Sequence, residues 1–119
     1  MNEEMAEFLA ALLHSGTVTH FMHWTTKSRS DHLALGEYYE SIIELTDKLA
    51  ESYMGRYEKI TDFPTEFHSA KEPLKYMKGM QSFVEEARKG LPQDTELQNR
   101  IDEIAELINT TVYQLANLE

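Results

Sequence analysis

Near the C-terminal end of the chain, Leu97, Ile101, Ile104, Ile108, Thr111, Leu115 and Leu118 follow one another in alternating steps of four and three. An α-helix turns once in about 3.6 residues, so these steps hold one side chain per turn on a single face, whereas a half-buried strand would alternate by two. A stripe of this kind cannot be shielded from water by its own helix and needs partner helices with matching stripes.

The rest of the chain supplies those partners. A first helix is expected from about Glu3 to Trp24, opening on Asn2 as N-cap, with Met5, Phe8, Leu12, Thr19 and Met22 on its seam. Leu9, Leu13, Gly16, His20 and His23 line the adjacent stripe. Ser28-x-x-Asp31 has the form of a capping box and starts a second helix that runs to about Tyr57, with Leu35, Tyr39, Ile42, Leu49 and Tyr53 inward. A connection containing Pro64 follows. A third helix starts near Ser69-x-x-Glu72 or at Pro73 and ends before Gly90, and Thr95-x-x-Gln98 caps the fourth. The pattern predicts an all-α chain forming one domain over residues 1–119, an antiparallel four-helix bundle.

Composition removes several chemistries. With no cysteine there is no disulfide, thiolate metal site or thiol nucleophile. The formal net charge of −10, from 21 Asp and Glu against 11 Lys and Arg, favours cations over phosphates. The nearest thing to a basic patch is Lys27-Ser-Arg29, which is too little, so no nucleic-acid partner is expected. The acidic start Met1-Asn2-Glu3-Glu4 is unlike a secretory signal and no apolar run is long enough to span a bilayer, so a cytoplasmic protein with no membrane partner is expected.

Three features could carry chemistry. The first helix ends in His20-x-x-His23-Trp24, and the second opens on Asp31-His32. The second also carries Glu37, Glu40, Glu44, Asp47 and Glu51, spaced 3, 4, 3 and 4. Alone, each has an ordinary explanation: a carboxylate stripe is usually a solvated helix face, and a pair of histidines usually lies at the edge of a core. Asp47 and Glu51, one turn apart, can converge on one cation as hard oxygen ligands. His32 and Asp47, however, are separated by about 22 Å of helix. A metal shared between the histidines and this acid pair must therefore lie between two chains.

The residues His23-Trp24, then His32, then Asp47-Lys-Leu-Ala-Glu51 resemble the signature of the Dps branch of the ferritin-like superfamily. The resemblance implies a ferritin-like bundle in which His23 and His32 of one subunit face Asp47 and Glu51 of its partner and bind iron for oxidation by O₂ or peroxide. Zinc or manganese are the other metals such a ligand set would take. The position four after His32, acidic in that family, is Gly36, and Glu40 is the nearest acid able to stand in for it. The connection from Tyr57 to Pro73 is too short for the family's extra interface helix, which implies a homodimer rather than a larger cage. A non-enzymatic dimeric helical bundle serving as an interaction protein is the alternative. The charge gives the first test: in a gel shift at ~0.15 M salt, duplex DNA should not be retarded.

Overall fold

The computed structural model describes residues 2–66 and 69–118. Four α-helices are formed among them: α1 (Asn2–Thr25), α2 (Arg29–Arg56), α3 (Pro73–Ala87) and α4 (Thr95–Asn117), with a single 3-10 turn at Arg88–Gly90. Residues 57–66 and 69–72 carry no helix.

Helix ends follow local chemistry, not always the expected one. Ser28 caps α2, its hydroxyl accepting from the Asp31 amide at 3.2 Å. Pro73 sets the first turn of α3, and Glu72 before it makes no side-chain cap. At α4 the anticipated box does not close. The Gln98 amide instead donates to the main-chain oxygens of Arg88 and Pro92, tying the helix to the connection before it. Asn2 begins α1, and its side chain goes to Tyr53 and Glu58.

The helices stand at the corners of a square, with contacts running α1–α2, α2–α4, α4–α3 and α3–α1. Three linker residues reverse the chain between α1 and α2. Ser30 at the start of α2 donates to the Leu118 carbonyl after α4, and Arg56 at the end of α2 meets Asp94 just before α4, so these two run antiparallel. Asp31 lines a surface hollow with Pro73, Leu74 and Lys78, which puts the start of α3 at the same end as the start of α2. α2 and α3 are thus parallel and diagonal. The segment between them travels the length of the bundle as a crossover. Every adjacent pair is antiparallel, as expected, but the order is up-down-down-up.

The core is the sum of the stripes. Met5, Phe8, Leu12, Ile42, Leu49, Tyr53, Met77, Val84, Leu97, Ile101, Ile104 and Ile108 are buried in one cluster. Leu115 is half-buried at the fraying end of the last stripe and Leu118 is exposed. One inward assignment moves by a residue: Tyr38 is the fully buried tyrosine of α2, and Tyr39 stands at the bundle edge. The Ser15 hydroxyl donates to the Leu12 carbonyl at 2.6 Å, so the Tyr38 hydroxyl, 2.7 Å away, donates to Ser15. Burial pushes the Tyr38 hydroxyl far up, keeping it protonated as that donor.

Between α2 and α4, Asp94 accepts from both Tyr57 and Arg56, and these contacts, the tyrosine's first, hold its carboxyl below the usual range. A depressed carboxylate stabilises the fold above its unfolded pKa and loses that contribution as pH falls through the folded one. Two outcomes follow. Tyr38→Phe should cost about 1 kcal/mol in urea unfolding, since Ser15 keeps its other bond. Asp94→Asn should lower Tm at neutral pH, with the deficit shrinking as the wild type is acidified below the ordinary carboxylate range.

Candidate metal centre

α1 and α2 approach closely because α1 carries Ser15, Gly16 and Thr19 where they meet. Ser15 and Thr19 are buried, Thr19 bonding back to the Ser15 and Gly16 carbonyls. A Cβ on Gly16 would stand 3.3 Å from Ile42 Cγ2. Toward the α1–α2 turn, the edge of this contact becomes aromatic. His20 stacks on Tyr39 with centroids 3.9 Å apart and touches Trp24 at 4.7 Å.

One turn further, His23 and His32 form a reciprocal clasp. His23 Nδ1 is 2.6 Å from the His32 carbonyl oxygen, and His32 Nδ1 is 2.9 Å from the His23 carbonyl oxygen. A carbonyl only accepts, so both Nδ1 atoms must carry the proton. In the neutral ring Nε2 then holds the free lone pair. Among the described residues neither Nε2 is hydrogen-bonded. The His23 carbonyl is one of those left without a helical donor at the end of α1, so His32 also caps that helix. The rings stack with centroids 3.7 Å apart and planes 18° from parallel.

This stack limits what the pair can do. Each lone pair lies in its own ring plane and the planes are nearly parallel, so one ion can meet only one of the two rings while the clasp is closed. His32, the exposed member, is the ring able to do so, and half-buried His23 holds it.

Gly36 has a direct structural reason. A Cβ there would lie 3.1 Å from His23 Cε1 and 3.3 Å from its Nδ1. The imidazole lies close enough that a side chain at this position would press it aside by a few tenths of an ångström.

The remaining site residues lie elsewhere. Glu40, Asp47 and Glu51 are exposed on α2, the last two toward its far end. Among the described residues, no three His, Cys, Asp or Glu side chains gather closely enough to hold an ion within one chain. Glu40 therefore does not complete a ligand set with His23 and His32 in the same chain. The sequence reading missed the role of Tyr39 and the clasp itself; the nine-residue spacing across a three-residue turn was the available signal.

The outer face of this helix pair is apolar around the imidazoles. Leu13, Phe21, Trp24 and Ile43 are 44%, 49%, 66% and 48% exposed. No helix among the described residues is long and apolar enough to cross a membrane. The model of a family of unknown function, DUF5856, matches residues 23–115, a span holding the clasp, Asp47 and Glu51. No curated protein and no solved structure matches the chain.

The clasp predicts a measurable coupling. Because its two hydrogen bonds and the stack form one unit, His23→Ala and His32→Ala should each cost about 1 kcal/mol in denaturant unfolding. The double replacement should cost little more than either alone, since neighbouring groups that act together are not additive.

Proposed function

We propose that this chain, which belongs to the DUF5856 family, is a Dps-like, ferritin-like bundle that pairs through its α1–α2 faces and binds iron between the two chains. The clasp carries this reading: it fixes the tautomer that leaves Nε2 as a ligand, the arrangement that second-shell hydrogen bonds give to metal-binding histidines. The single long crossover supports it too, since ferritin-like bundles have one such connection.

The distribution of side chains on the face favours a twofold, antiparallel second copy. A twofold axis across α2 midway between His32 and the Asp47/Glu51 pair passes near Glu40. The stacking of His20 on Tyr39, and of Gly16 against Ile42, puts Thr17 of α1 at about the same level. Leu13 and Phe21 lie four residues to either side of Thr17, so Leu13 of each copy meets an apolar partner. The same operation sets the end with Lys27, Arg29, His23 and His32 over the end with Glu44, Asp47 and Glu51. Asp31 and Lys48 are the exceptions, and Lys48 already pairs with Glu44 at 3.4 Å. A parallel pairing would set acid on acid. An isologous contact of this kind repeats each favourable pair twice.

In the dimer, His32 of one chain and Asp47 and Glu51 of the other would supply one nitrogen and up to four oxygens, a set suited to Fe²⁺, Mn²⁺ or Zn²⁺. Fe²⁺ held there is the substrate, giving up its electron to O₂ or peroxide. His23 keeps the His32 ring in place, and the apolar rim of Leu13, Phe21, Trp24 and Ile43 excludes water. The ring stack and the lack of an acid at Gly36 favour a second reading, a non-enzymatic dimeric interaction protein that keeps the scaffold.

Two measurements test the proposal together. Light scattering should give twice the 13.8 kDa chain mass. Fe²⁺ or Zn²⁺ should raise Tm, by mass action on the folded dimer, and the rise should vanish in the Asp47→Asn/Glu51→Gln protein. It should also vanish on acidification, because a protonated imidazole has no lone pair to offer. A dimer with no metal response leaves the second reading; an equal response in both proteins puts the ions elsewhere, and a monomer removes the shared site.

A further inference from the structure

Gly36 stands where the chain could have placed a carboxylate beside the histidines, and the structure assigns it a different task. We infer that Gly36 is a positioning residue: it lets the His23 imidazole lie flat against α2, in the pose that closes the clasp with His32.

The positioning follows from distances. With a Cβ at 36 meeting His23 Cε1 at 3.1 Å and Nδ1 at 3.3 Å, the ring would have to move by a few tenths of an ångström. It has little room to do so, since its Nδ1 is held at 2.6 Å to the His32 carbonyl, one face lies on His32, and Tyr39 stands at 5.3 Å. A shift of that size stretches the bond that fixes its tautomer and offsets its stack on the His32 ring.

A double-mutant cycle tests this without any metal. Glycine inside a helix is a poorer helix former than alanine, so Gly36→Ala in a His23→Ala background should raise Tm by roughly 3–6 °C. In the wild-type background the same change should bring no gain or a loss, because the helix gain is spent against the imidazole. Imidazole ¹⁵N shifts should show His23 protonated on Nδ1 in the wild type and mixed between tautomers in Gly36→Ala. An equal Tm gain in both backgrounds, or an unchanged His23 tautomer, overturns the positioning role.

Discussion

Where a Cβ on Gly16 would press into Ile42 and one on Gly36 into His23, α1 and α2 are as close as their side chains allow. Everything at the candidate site depends on that approach. A wider spacing would leave His23 unable to reach the His32 carbonyl across the turn, and His20 unable to lie on Tyr39. The three-residue linker contributes by keeping the two helix ends in register, and Ser28 contributes by starting α2 at once. The clasp then returns part of this order to the helices, because His32 satisfies a carbonyl at the end of α1 that has no donor of its own.

The helices themselves were legible because burial in a bundle is periodic. The stripe from Leu97 to Thr111 reads correctly because each of its residues points at the core of a helix with no competing demands. Tyr39 misled for a local reason: Tyr38 and Tyr39 are adjacent, 100° apart on the helix, and either fits a stripe containing Leu35 and Ile42. Only tertiary context decides, by giving Tyr38 a buried hydroxyl partner in Ser15 and giving Tyr39 an imidazole to stack on. The Thr95-x-x-Gln98 box failed similarly, since Gln98 had better acceptors in the folded turn than a single helix offers.

The order of the helices was not legible in the connection itself. Nothing in residues 57–72 distinguishes a reversal between neighbours from a crossover between diagonal partners, because both are polar and contain the same turn formers. The distinction is made by which apolar faces match. α3 packs against α4 and α1, and with both of those neighbours running up, it must run down beside them. The crossover is therefore a consequence of packing and not of its own sequence. Leu13, Phe21 and Trp24 remain exposed on the outer α1–α2 face.

Gly36 is the residue whose meaning changed most between sequence and structure. Compared with a family pattern it reads as a lost ligand, an acid replaced by nothing. In the folded chain the His23 ring lies against this position, so the glycine gives the clasp room that an acid would narrow. The two arrangements are alternatives: a carboxylate at 36 adds negative charge beside the imidazoles and presses on the His23 ring, while glycine leaves the ring free to lie against α2. Among the described residues no third ligand stands with His23 and His32 in one chain, so an ion bound as proposed would draw its other ligands from a second copy and would couple its binding to association.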